Sequence, residues 1–131
     1  MTMNPVVHFE MPAEDTKRMS DFYTNVFGWE MKNMGAEMGN YVVVSTSEAD
    51  EKGRPKMPGA INGGFFPKAG NPAQAPMLVI SVDNIEEHMK KVEAGGGKIV
   101  GAVADIPQVG KYVSFIDTEG NRMSLLQRIG M

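Results

Sequence analysis

Gly39-Asn40-Tyr41-Val42-Val43-Val44 and Gly110-Lys111-Tyr112-Val113-Ser114-Phe115 are one phrase written twice. In each copy a glycine leads a tyrosine two places on and then a run of the apolar residues that fill strands. Upstream of each lies the same succession of strand-like segment, amphipathic helical segment and glycine-marked stop, so the repeated unit is a half-domain of about 60 residues. A sheet of that size cannot bury its apolar face alone. The two copies are expected to pack or pair, with a cleft between them that hosts the function.

Working outward from the first copy, Val7, Phe9 and Met11 alternate with Val6, His8 and Glu10. This is the pattern of a half-buried strand, with His8 and Glu10 as a polar pair on its second face. Pro12 ends the strand, and Asp15 opens a helix striped by Met19, Phe22, Tyr23 and Val26 and closed by Gly28. Trp29 to Met34, Gly39 to Ser45 and Ile61 to Phe66 supply three more strands, while the polar stretch Glu48 to Pro58 reads as an exposed loop.

The second half repeats that order. Pro76 to Val82 reads as a strand and Asn84 to Ala94 as a helix, with Asn84 and Glu87 as a capping box. Ile85, Met89 and Val92 form its apolar stripe, and Gly95-Gly96-Gly97 is its stop. Lys98 to Val103, Tyr112 to Asp117 and Arg122 to Gln127 are strands, the last two joined by a tight turn at Thr118-Glu119-Gly120-Asn121. Strand, helix and three strands, twice over, predict an α+β fold. The expected organisation is one domain over residues 1–131, built from modules 4–66 and 76–128 joined by a linker at 67–75. Its curved mixed sheets surround the cleft and its helices lie outside.

Composition narrows the chemistry. The 131 residues, 42% of them hydrophobic, suffice for one core. With no cysteine, disulfides, thiolate metal sites and cysteine nucleophiles are excluded. A net charge of -3 with scattered lysines and arginines argues against nucleic acid, and Lys90-Lys91 is balanced by Glu86, Glu87 and Glu93. Tyr41 to Val44 and Met77 to Ile80 are the longest apolar stretches and are too short to span a membrane. Met1 to Pro5 lead straight into a strand without a charged-then-apolar leader, so a cytoplasmic protein is expected. Neither Gly63-Gly64 nor Gly95-Gly96-Gly97 has the strand-to-helix setting of a phosphate loop.

His8 with Asp15, Phe22-Tyr23, Val26-Phe27-Gly28-Trp29, Val82-Asp83-Asn84-Ile85, Gly95-Gly96 and Asp117-Thr118-Glu119-Gly120-Asn121 follow one another in a telling order. Over nearly the whole chain they resemble the vicinal oxygen chelate superfamily of glyoxalases, bleomycin resistance proteins and extradiol dioxygenases. Ile61-Asn62-Gly63-Gly64 is similar to a glyoxalase-like subgroup of uncharacterised proteins. The resemblance implies paired βαβββ modules around a small-molecule cleft, and a homodimer. In the family's enzymes it implies a divalent metal held by one residue from each of four strands, commonly His, Glu, His and Glu.

Of the positions so implied, the first is His8. The second falls in Ile61 to Phe66, at Gly64 or Phe66, where there is no carboxylate; the third falls on Met77 and the fourth on Ser124. A thioether and a hydroxyl are poor ligands for such ions. The other histidine, His88, lies on the second helix and is expected at the surface. No metal and no other cofactor is expected.

The candidate catalytic pair is His8 and Glu10, as base and acid. Candidate ligand-binding residues are His8, Glu10, Tyr41, Phe66, Met77, Tyr112 and Ser124. The repeat-related tyrosines either present hydroxyls to a ligand or wedge the sheets together, with packing the better reading. Most of the twelve methionines are core fillers, Met77 and Met11 being candidates for an adaptable pocket wall. The leading expectation is a metal-free protein that binds a small hydrophobic or mixed-polarity ligand. A metal-independent isomerase or lyase using His8 and Glu10 is the alternative, and a non-catalytic structural or interaction module a further one.

Overall fold

In the computed structural model, which describes residues 3–129, the chain forms eight strands and two α-helices among those residues. They run β1 (Val6–Ala13), α1 (Thr16–Phe27), β2 (Glu30–Asn33), β3 (Val42–Ser45), β4 (Gly63–Pro67), β5 (Met77–Ser81), α2 (Ile85–Ala94), β6 (Lys98–Ile106), β7 (Gly110–Ile116) and β8 (Arg122–Arg128). The described residues divide into two compact units, one from His8 to Pro76 and the other comprising Met3 to Val7 and Met77 to Ile129. In the first, strands lie in the order β2-β3-β4-β1, with β1 parallel to β4 and the other pairs antiparallel. In the second the order is β6-β7-β8-β5, with β5 parallel to β8. The fold is α+β, and β1 to β4 with α1 and β5 to β8 with α2 trace the same βαβββ course.

Helix α1 begins where Asp15 accepts a hydrogen bond from the Arg18 backbone N–H at 3.0 Å. It ends at Gly28, whose φ of 73° is the left-handed conformation that glycine adopts without strain. Met19 and Tyr23, four residues apart on one ridge, pack with Trp29 and Phe9 against the buried Val42, Val44 and Phe65. The Tyr23 and Trp29 rings stack with centroids 4.8 Å apart. Phe22 and Val26, expected on the same apolar stripe, are instead 54% and 56% exposed. They form the neighbouring ridge of the helix, and only the Met19–Tyr23 ridge packs into that core.

Helix α2 is N-capped by Asn84, which accepts from the Glu87 N–H at 3.0 Å and so makes the first half of the expected capping box. Ile85 is wholly buried with Val82, Val113, Phe115 and Leu125, and Met89 and Val92 pack against them. The two glycines that head the repeated phrase do different work. Gly39 closes a 3₁₀ turn (Ala36–Met38) at φ 65°, so β3 begins only at Val42. Gly110 lies within the β7 ladder at φ 145°, and a Cβ there would collide with the Gln127 carbonyl. Strand β6 outruns its expected end because a register shift between Val100 and Ala104 absorbs Gly101 without ending the ladder.

The turn between β7 and β8 is organised by Asp117. Its carboxylate accepts from the N–H groups of Glu119 at 2.8 Å and Asn121 at 2.9 Å, and from the Asn121 side chain at 2.9 Å. Bonds from the Asn121 side chain and backbone, with those from Glu119 and Gly120, hold its pKa below the ordinary value. Among the described residues no helix is long and apolar enough to cross a membrane.

Two outcomes follow from this packing. Ile85→Ala empties a fully buried site and is expected to cost about 2–5 kcal/mol, read as a lower urea midpoint at unchanged m-value. Because the Asp117 carboxyl is more acidic folded than unfolded, its stabilisation is present above the unfolded pKa and is lost as pH falls through the folded one. The stability difference between wild type and Asp117→Asn is therefore expected to shrink as urea titrations are moved from neutral into acid. A difference that is constant with pH would refute this linkage.

Candidate functional site

Residues two apart on a strand share a face, so β1 presents His8 and Glu10 together. Glu10 is 9% exposed and His8 is half-buried. A carboxylate so deeply placed needs hydrogen-bond donors. One comes from Tyr41, immediately before β3, whose hydroxyl donates to Glu10 Oε2 at 2.9 Å. The same hydroxyl lies 2.9 Å from His8 Nε2. Since the phenol has one proton and gives it to Glu10, its oxygen is left to accept, which assigns the proton of a neutral His8 imidazole to Nε2. His8, Tyr41 and Glu10 thus form a continuous chain of donors and acceptors.

Gly64 makes room for that chain. It pairs with Glu10 across the parallel β1–β4 ladder and with Val43 across the β3–β4 ladder. A Cβ on Gly64 would overlap the Tyr41 hydroxyl and ring. At neighbouring Gly63 a Cβ would press on the Phe9 ring and carbonyl in the same way.

The second unit carries a different polar cluster. Ser124, 0% exposed, has its Oγ 2.7 Å from Tyr112 Oη, 3.1 Å from Ser114 Oγ and 4.0 Å from Met77 Sδ. Ser114 and Ser124 face each other across the β7–β8 ladder. Ser124 thus joins two hydroxyls and a thioether. Phe66 is buried in β4 opposite Pro12. His88 corrects an expectation: it is half-buried rather than at the surface, its Nε2 3.1 Å from Asn4 Oδ1 and its Nδ1 sealed from solvent.

The signature of the Glyoxalase/Bleomycin resistance protein/Dioxygenase superfamily matches residues 6–125. The chain belongs to this superfamily. A glyoxylase-like domain-containing protein of Didymella fabae is 29% identical over 129 residues, covering 92% of this chain and 91% of that protein. A putative glyoxylase of Mycobacterium tuberculosis is 29% identical over 109 residues, 81% of this chain; the chain spans only 37% of that relative's length. Among solved structures, a Streptomyces coelicolor methylmalonyl-CoA epimerase variant in complex with 2-nitronate-propionyl-CoA superposes with a TM-score of 0.69 at 9% identity, covering 99% of this chain and 98% of that one. At that identity the likeness is one of fold.

The four-ligand metal set of the superfamily's enzymes does not fit the residues present here. Among the described residues no three His, Asp or Glu side chains gather where they could hold an ion. Of the two residues implied for the second position, Phe66 carries no donor and Gly64 has no side chain, the space one would enter being filled by the Tyr41 phenol. At the third and fourth, Met77 offers a thioether and Ser124 a hydroxyl that is engaged with Met77 and Tyr112. A cavity of about 480 Å³ also opens beside the start of α1, lined by Pro12, Glu14, Arg18, Phe22 and Lys68 among others, and none of the network residues line it.

Ser114 was not a sequence candidate, though it is the one hydroxyl residue in the apolar half of the repeated phrase. The link between Tyr41 and the His8–Glu10 pair had a fainter signal, the absence of a side chain at Gly64. Protein dialysed against Zn²⁺, Mn²⁺ or Ni²⁺ and then desalted is expected to retain well under one equivalent by elemental analysis. One equivalent that disappears in His8→Ala would overturn this reading of the donor set.

Proposed function

We propose that this superfamily member is a metal-independent isomerase or lyase that moves a proton at a carbon next to a carbonyl of a small organic substrate. His8 and Glu10 are its base and acid. The observation that carries the proposal is the His8–Tyr41–Glu10 network, which places two groups able to take and give a proton on one strand face and joins them by hydrogen bonds. Imidazole has one nitrogen that carries a proton and one that can accept one, which suits His8 to the role of base. Isomerases and lyases of this kind both begin by removing such a proton, and an epimerase is among the proteins that share the fold. Tyr112, half-buried, is proposed as a further ligand contact, its hydroxyl held by Ser124 with Met77 behind.

The test is hydrogen exchange at carbon. Protein in D₂O is incubated with a panel of carbon acids that includes methylmalonyl-CoA, other acyl thioesters, 2-oxo acids and hydroxyketones, and loss of the C–H signal is followed by NMR. Wild type is expected to exchange at least one member, and His8→Ala and Glu10→Gln are each expected to slow it about 100-fold or more. Exchange that persists in both variants, or no exchange across the panel, would sink the proposal.

A further inference from the structure

We infer that Tyr41 is the relay through which His8 and Glu10 share one proton, and that Gly64 lacks a side chain so that the Tyr41 hydroxyl can stand between them. This rests on the proton-transfer reading of the same site. The distances put the phenol oxygen at 2.9 Å from both His8 Nε2 and Glu10 Oε2, both within hydrogen-bond range. Gly64 faces Glu10 in the β1–β4 ladder, and its missing Cβ is the space the phenol takes. Gly64 does not adopt the positive φ of Gly28 or Gly39, so its backbone conformation does not demand glycine. Volume is what remains to explain it.

The relay conserves protons and charge. At rest Glu10 is ionised, Tyr41 donates to it, and neutral His8 donates from Nε2, leaving Nδ1 basic. When Nδ1 takes a proton from a carbon acid, the electron pair of the broken C–H bond stays on the substrate as the enolate. The Nε2 proton passes to the Tyr41 oxygen as the phenol proton passes to Glu10 Oε2. His8 and Tyr41 are then neutral, Glu10 is protonated, and the negative charge has moved from Glu10 to the enolate. Run backward, the relay makes protonated Glu10 the source of the proton that His8 Nδ1 gives to the enolate: delivery to a different enolate atom completes an isomerisation, and delivery to the original carbon gives the exchange read in D₂O. His8 therefore avoids remaining an imidazolium, and the proton is stored on a carboxyl that is 9% exposed and thereby shielded from bulk water.

The relay is tested on ligand-free protein, so its outcome does not depend on knowing the substrate. The chain has two histidines, and His88, bonded to Asn4 in the other unit, serves as the internal control. Imidazole ¹⁵N shifts are expected to show His8 as the Nε2–H tautomer when neutral. In Tyr41→Phe that preference is lost, and the His8 titration midpoint moves by about half a pH unit or more. Gly64→Ala is expected to give the same two changes although it keeps the hydroxyl, because the added methyl evicts the phenol. His88 shifts stay unchanged in both variants. Unaltered His8 tautomer and midpoint in Tyr41→Phe would overturn the relay even if the fold of Gly64→Ala were disturbed. Should that occur while His8→Ala and Glu10→Gln still abolish carbon exchange, the relay fails and the base and acid assignment stands.

Discussion

Two glycines in β4 set the terms for the unit that carries the candidate site. Backbone at Gly63 and Gly64 is approached so closely by Phe9 and Tyr41 that neither position has room for a methyl group. Phe9 reaches the aromatic cluster of Trp29 and Tyr23 that anchors α1, while Tyr41 reaches the polar pair on β1. Two adjacent glycines at the start of one strand thus serve an apolar contact through one residue and a polar one through the next, as the two-residue period of a strand requires. The polar contact matters for stability as well as chemistry. A buried acceptor stripped of its donor costs about 1–3 kcal/mol, and Tyr41 supplies such a donor to Glu10.

The duplication holds in topology and fails in chemistry. Each βαβββ course pairs its first strand in parallel with its last, and each places a tyrosine at the third strand. Tyr41 bonds to groups on the first strand of its course, whereas Tyr112 bonds to Ser124 on the last. The first arrangement brings together an imidazole, a phenol and a carboxyl; the bonds made by Ser124 in the second bring together hydroxyls and a thioether. Superfamily membership therefore transmits a scaffold. What the scaffold does depends on side chains that differ between its two halves.

Much of this was legible beforehand, and the misses share a cause. Strands, helices and both N-caps follow from local periodicity and capping residues, so Asp15, Asn84 and Ile85 stand where their sequence context places them. Expected ends slipped where a backbone device outweighed propensity: the 3₁₀ turn before Val42 shortened β3, and the register shift around Gly101 lengthened β6. The helical period correctly marked Phe22 and Val26 as neighbours of Met19 and Tyr23, but periodicity does not say how wide a strip the packing covers. His88 escaped in the same way, since its partner Asn4 is remote in sequence.

By itself the sequence determined the repeated α+β course, the pairing of His8 with Glu10 on one face, and the lack of donors at three of the four positions where the superfamily's metal enzymes carry them. Those properties depend on residue identity and on spacing along one strand, which need no knowledge of the rest of the chain. Tertiary structure alone decided that Tyr41 joins His8 to Glu10 and that Gly64 exists to admit it. The hydroxyl and its two partners lie more than thirty residues apart, and only the β1–β4–β3 pairing brings them within 2.9 Å.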